Sequence, residues 1–266
     1  MRIATWNVNS VIARTPRLLD WLGTASPDVL CLQEIKATAE TFPTDAVAEL
    51  GYEAAIHGTG RWNGVAILSR VGIDDERRGL RDEPGYRPED AMFEATEPRA
   101  IGATCGGVRI WSVYVPNGRE LGHPHYDYKL RWLAALAATT AEELTDRFVL
   151  VGDFNIAPTD DDVWDASAVH GATHVSGPEL ESLASLRALG LHDVVPRALK
   201  YDTPYTYWDY RAGMFHKNMG MRIDLVYASQ GLAASVTDAY VDREARKGTG
   251  PSDHAPVVVD FDLDTR

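Results

Sequence analysis

At 266 residues the chain is long enough for one large domain with a substantial core, and its 45% hydrophobic and 24% charged content suits a soluble globular protein. No apolar run reaches the length of a membrane span, the opening residues read as a strand and not a secretory leader, and Cys31 and Cys105 read as buried thiols rather than a disulfide or zinc framework. The net charge of −13 counts against a polyanionic partner, yet 21 of the 26 basic residues are arginine, which suits bidentate phosphate contacts, and local charge matters more than the total. These features imply a cytoplasmic, bacterial-type enzyme.

In chain order, "MRIATW" reads as a buried strand ending at Asn7. Thr15 can cap a following helix with Pro16 at its first position, and Leu18, Leu19 and Leu22 form its apolar stripe. "DVLCLQE" is a second buried strand, ending at Glu34. "YEAAIHG" and "GVAILSR" read as paired strands about a turn holding Trp62, Asn63 and Gly64. Residues 71–90, rich in charge, Gly and Pro, read as a surface loop, and "AMFEATE", "AIGATCGG" and "VRIWSVYVPNG" as three successive strands. The clearest helix runs from about Tyr126 to Asp146. "RFVLVGDFN" is a strand, residues 157–178 a long connection, and "PELESLASLRALG" a helix stopped by Gly190. "YTYWDYR", "MRIDLVYAS", "ASVTDAYVD" and "APVVVDFDL" supply four more strand candidates.

Each half thus holds several short strands with one or two helices, and no linker divides the halves. The pattern suits one continuous domain over residues 1–266, built as two mixed β-sheets packed face to face with helices outside, a four-layered α/β sandwich.

Several polar residues sit where buried strands end: Asn7, Glu34, Tyr114, Asp153 with Asn155, Asp224, and Asp253 with His254. If the strand ends converge on one rim, these residues build one site. Each has a simpler explanation as well. Asn7 can terminate a strand, Glu34 can be a solvated carboxylate, Tyr114 a core tyrosine, and Asp153 and Asn155 an Asx-turn. Asp224 interrupts an apolar run and needs a partner. The stretch 205–224 interleaves aromatics with Arg211, His216, Lys217 and Arg222, a mixture suited to nucleic acid, or to an aromatic core strand beside a solvated loop.

The segments "WNVNS", "LCLQEIK", "VYVPNG", "VGDFNIAPTDDD", "GMRIDLVYAS" and "PSDHAPVV" together resemble the ordered motifs of the exonuclease III family of AP endonucleases, within the larger endonuclease/exonuclease/phosphatase group. The resemblance runs from the first strand to the last and implies the same four-layered sandwich. It implies a divalent metal, Mg²⁺ or Mn²⁺, held by hard oxygen ligands from Glu34, Asn7, Asp253, Asp153 and Asn155. His254, oriented by Asp224, would contact the scissile phosphate or act as base. Asp153 would activate water or protonate the leaving group, and Asn155 and Tyr114 would steady the phosphate. Tyr207, Met221 and Ile223 would line a pocket for an extruded abasic sugar, with Trp208 packed nearby; Met221 stands where some relatives have tryptophan. Arg119, Lys217 and Arg222 are the candidate DNA cations. The implied activity is Mg-dependent incision 5′ to an abasic site in double-stranded DNA, with 3′→5′ exonuclease and cleaning of damaged 3′ ends, by a monomer that binds no membrane. The alternative keeps the chemistry and changes the substrate: a phosphatase or phospholipid diesterase of the same group.

Overall fold

A computed structural model describes residues 1–88, 92–201 and 203–263. The strands are β1 (Arg2–Asn7), β2 (Val29–Gln33), β3 (Glu53–His57), β4 (Val65–Ser69), β5 (Asp74–Arg78), β6 (Ala100–Cys105), β7 (Val108–Tyr114), β8 (Phe148–Asp153), β9 (Leu191–Asp193), β10 (Asp224–Ser229), β11 (Val236–Val241) and β12 (Val257–Phe261). The helices are α1 (Val11–Ala25), α2 (Thr44–Ala48), α3 (Pro124–Glu143), α4 (Ala166–Val169), α5 (Gly177–Ala188), α6 (Met214–Lys217) and α7 (Gln230–Ala233).

The strands form two six-stranded sheets, in the orders β11-β12-β1-β2-β4-β3 and β5-β6-β7-β8-β10-β9. Alternation along each strand decides which layer a side chain joins. In β1 and β2, Ile3, Val29 and Cys31 face the opposite sheet, while Ala4, Trp6, Leu30 and Leu32 pack under α1. In the second sheet Ile110, Val149 and Val151 face inward, while Trp111, Leu150 and Leu225 pack under α3 and α5. Three apolar layers between four layers of structure give the expected α/β sandwich. The inter-sheet core also holds one polar link, in which the Gln33 amide donates to the Thr5 and Ser112 hydroxyls at 3.0 Å each.

The register brings the site together. Each sheet has one parallel pair, β1 with β2 and β7 with β8. Asn7 therefore pairs with Gln33, next to Glu34, and Tyr114 pairs with Asp153. Strand β10 runs antiparallel to β8, so its first residue, Asp224, pairs with Asp153. Strand β12 runs antiparallel to β1, and Val257 pairs with Thr5, which leaves His254 at the same rim. Gly152 allows the close approach. Its φ is 145°, and a Cβ there would lie 1.9 Å from the Val113 carbonyl oxygen.

Four local expectations are corrected. Helix α1 begins at Val11, with Ser10 accepting from the Ala13 amide, so Thr15 is not its cap and Pro16 lies inside the helix. Residues 71–90 include strand β5, whose "DDERR" is fully exposed; an edge strand is charged for solubility and carries no apolar alternation to reveal it. "AMFEATE" forms no strand among its described residues, and Ala95 makes only an isolated bridge to Tyr86; Ala91 lies outside the described residues. "YTYWDYR" is likewise no regular strand, since Tyr207 makes isolated bridges to Met221 and His254. The two cysteines are buried and free. No helix among the described residues is long and apolar enough to cross a membrane.

Candidate active site

At the shared rim, Asn7, Asp153, Asp224 and His254 are each at most 4% exposed. The Asn7 amide donates to Glu34 Oε1 and to Asp153 Oδ2, both at 2.9 Å, and so ties one sheet to the other. His254 Nδ1 lies 2.8 Å from Asp224 Oδ2, while its Nε2 lies 3.9 Å from Asp153 Oδ2. Asp224 Oδ1 is buried and has no hydrogen-bond partner among the described residues.

Burial and neighbouring charge set the protonation states. Burial pushes the Asp153 carboxyl up, the imidazolium draws it back, and Asp224 and Glu34 raise it again, to about 7. Burial alone would push His254 down, but the charge and hydrogen bond of Asp224 reverse this and raise it to about 10. The ring is then an imidazolium at neutral pH. Burial would raise Glu34, yet the Lys36 ammonium and the Asn7 amide hold it below the ordinary carboxylate range. Burial and the Glu34 charge keep Tyr114 a neutral phenol, a donor at any working pH.

Asp153 and Asn155 do not share a strand face. Strand β8 stops at Asp153, and Asn155 takes a left-handed backbone, φ 51°, with its amide donating to Asp153 Oδ1 at 2.9 Å. The Asx-turn and the site are one feature: the turn fixes the carboxylate. Glu34 is also left-handed, at φ 50°, just beyond β2. Backbone of this kind persists only where surroundings hold it, and it clusters at functional sites.

Oxygen donors from Glu34, Asp153, Asp253 and the Asn7 carbonyl suit a hard divalent cation. The crowding of Asp153, Asp224 and Glu34, with one Asp224 oxygen unsatisfied, is excess negative charge that such a cation would relieve. Asp153, Asp224 and His254 also lie within 4.8 Å of one another through possible ligand atoms. A protonated His254 has no free lone pair, however, so the Glu34 side is the better cation site. There Lys36 Nζ lies 2.9 Å from Glu34 and 2.7 Å from Asn9 Oδ1, and the Asn9 amide donates to Asp253 Oδ1 at 3.1 Å.

Beside these groups opens a cavity of about 470 Å³. Tyr207, Met221, Ile223, Trp164 and Val169 form its apolar wall, while Glu34, Tyr114, Asn117, Asp153, Asn155, Asp253 and His254 form its polar side. Tyr207, Met221 and Ile223 are thus brought together on one wall. Trp208 is packed nearby: it is buried, lies edge-on against Phe215 and abuts Gly220 of the cavity wall without lining the cavity itself. Arg222 is not a free cation. It is 2% exposed and makes paired bonds to Asp162 and Asp193, because Met221 and Ile223 face the cavity and the residue between them must point the other way. Arg119 and Lys217 are exposed, outside the cavity wall, with Lys217 on an adjacent groove that shares Trp164 and Met219. The acid run 160–162 is a short 3-10 turn, and Asp162 is the partner of Arg222.

Sequence reasoning missed Asn9, Lys36 and Asn117, although all three lie within quoted motifs. It also missed Trp164 and Val169, whose connection carries no pattern that announces a pocket wall.

The fold and site define a sandwich hydrolase with a carboxylate–imidazolium centre. Residues 4–254 match the model of the Endonuclease/Exonuclease/phosphatase family, and the chain belongs to that family. It is 29% identical to exodeoxyribonuclease III of Haemophilus influenzae over 98% of this chain and 100% of that one. It superposes on a 3′-5′ exonuclease from Neisseria meningitidis with a TM-score of 0.90, at 39% identity over 99% of this chain and 100% of that one. A further Neisseria structure, with the same scores and coverage, is described as a 3′ phosphatase bound to product DNA hairpin. An AP endonuclease from Archaeoglobus fulgidus superposes at 0.89, with 32% identity over 99% of this chain and 100% of that one.

Proposed function

We propose that the chain is a DNA-repair nuclease, a metal-dependent phosphoesterase that acts on double-stranded DNA at damaged 3′ ends and 5′ to abasic sites. The observation that carries this reading is the continuous network Glu34–Asn7–Asp153···His254–Asp224, opening onto a cavity with one apolar and one polar wall.

A phosphodiester is anionic, and charge grows on its oxygens as water attacks. His254, held by Asp224, presents an Nε2–H to a non-bridging oxygen, and the neutral Tyr114 hydroxyl is a second donor. Because His254 is already protonated, Asp153 is the group left to take the proton from water. Its pKa near 7 suits that task, and Asn7 and the Asn155 amide hold both its oxygens in place. The P–O bond to the leaving oxygen breaks as the new one forms, and the departing oxygen takes up a proton, which Asp153 has just acquired and can return. Glu34, with Asn7 and Asp253 beside it, would hold the cation, Mg²⁺ or Mn²⁺, which supplies charge neutralisation at the phosphate. Asn155 acts through its turn; its side-chain amide donates to the Val115 carbonyl and its Oδ1 accepts from the Asn117 side chain.

Tyr207, Met221, Ile223 and Trp164 would receive an unstacked sugar, and Arg119 and Lys217 would contact backbone phosphates. Work at 3′ ends draws support from the Neisseria structures at 39% identity, and abasic incision from the archaeal one at 32%. The test is a gel assay on two duplexes, one with a 3′-terminal phosphate and one with an internal tetrahydrofuran, in Mg²⁺ and in EDTA. Wild type should process them only with Mg²⁺, and Glu34→Ala should not. Inertness of pure, folded wild type toward both would sink the reading and turn attention to other phosphate esters.

A further inference from the structure

We propose that Lys129 and Glu179, buried behind the reacting groups, are positioning residues for the backbone of Asn117 and Asn155 and, through the Asn155 N–H, for Asp153; this rests on the nuclease reading above. Both are fully buried, Lys129 on α3 and Glu179 on α5, and they pair at 2.5 Å. The ammonium has three protons and three acceptors: Glu179 Oε1, the Asn155 carbonyl at 2.8 Å and the Asn117 carbonyl at 3.3 Å. It therefore grips the backbone of the loop after β7 and the loop after β8 at once. The side chains of those two asparagines meet, with the Asn117 amide donating to Asn155 Oδ1 at 3.2 Å.

Glu179 extends the grip to the connection that forms the far wall of the cavity. Its Oε1 accepts from the Thr173 hydroxyl and the His174 amide, and its Oε2 from the Ser176 amide and hydroxyl. His174, itself on the cavity wall, lies with Nδ1 2.5 Å from the same Asn155 carbonyl. A carbonyl can only accept, so Nδ1 carries the proton. Helix α3, through Lys129, and the connection before α5, through His174, thus converge on one carbonyl oxygen, that of the left-handed residue whose backbone N–H fixes Asp153.

A buried ion pair is a poor source of net stability, because its desolvation offsets most of its attraction, and an apolar pair of similar volume often serves as well. What an apolar pair cannot do is hold two carbonyls at a fixed separation. The pair should therefore matter more to kcat than to KM.

The variants are Lys129→Met with Glu179→Leu, which removes both charges together, and Lys129→Arg, which keeps the charge and alters the donor geometry. The substrate is the 3′-phosphate duplex with Mg²⁺, with wild type measured alongside. The double variant should melt below wild type, because the donors that Glu179 accepts from lose their partner, but where folded it should keep KM within about twofold while kcat falls roughly 10- to 100-fold, the scale expected when a reacting group is slightly misplaced. In an Asp153→Asn background the same double change should cost little further, because the carboxylate it positions is gone. A folded double variant with unchanged kcat, or a loss that multiplies fully on Asp153→Asn, would overturn the proposal. If the double variant does not fold, Lys129→Arg decides: kcat lowered at constant KM supports the role, and wild-type kcat refutes it. Inactive wild type would instead be the failure of the nuclease reading.

Discussion

Asp224→Asn removes a charge and almost no volume from a fully buried position. His254 stands near 10 against an ordinary 6.5, which at 1.36 kcal/mol per pH unit is about 5 kcal/mol of preference for the imidazolium. Burial works against that preference, and Asp224 is its largest support through charge and hydrogen bond. The Asn oxygen can still accept from Nδ1–H, so the variant removes the charge; a hydrogen bond to a charged group contributes about 1.5–3 kcal/mol against about 0.5–1.5 kcal/mol for a neutral one, and the difference should lower the His254 midpoint by about 1 pH unit or more. The assay is kcat/KM for the 3′-phosphate duplex from pH 6 to 10.5. Wild type should gain activity as Asp153 ionises near 7 and lose it as His254 deprotonates near 10; the two groups interact, so the limbs belong to the pair. In the variant the alkaline limb should move down while the deficit at pH 6.5 stays smaller than at pH 9. The histidine Cε1–H resonance of metal-free protein should report the same displacement without turnover. Stability follows the same sign. A histidine raised above its unfolded value stabilises below 6.5 and loses that contribution as pH rises through about 10, and the variant should lose it earlier. An alkaline limb that stays in place in folded Asp224→Asn would refute the reasoning.

Four further outcomes are expected. Mn²⁺ or Mg²⁺ should raise the melting temperature of wild type by binding the folded state, and Glu34→Gln should abolish that rise; a rise of equal size in the variant would move the cation site elsewhere. Arg222→Met leaves Asp162 and Asp193 without their shared cation and should destabilise by about 3–5 kcal/mol in denaturant melts. Lys217→Ala should leave stability alone and reduce the salt slope of DNA binding by about 1, and the opposite pairing of effects would reverse the roles assigned here. Gly152→Ala forces a methyl group onto the Val113 carbonyl and should cost about 3 kcal/mol or more; a soluble variant of wild-type melting temperature would show that β7 and β8 are not held so close.

The chain's own pattern determined much of this protein. Buried strands announce themselves as apolar runs, and polar residues that end such runs are conspicuous because an unpartnered buried polar group is costly. Asn7, Glu34, Tyr114, Asp153, Asp224 and His254 were visible for that reason, and the family motifs in their order carried fold and chemistry together. Where local chemistry favoured no single outcome, the pattern misled. The charged edge strand β5 looked like a loop, and the aromatic stretch 205–211 looked like a strand although it makes only bridges. Only the tertiary structure decided the rest. Arg222 and Lys217 are both cations in one aromatic segment, yet one is locked between two aspartates from distant parts of the chain and the other faces solvent. Lys129 and Glu179 lie 50 residues apart, and nothing in either neighbourhood signals the other. Spacing along a chain reports which residues can share a strand or a helix face, but a partner is fixed by sheet register and helix packing, which exist only once the chain has folded.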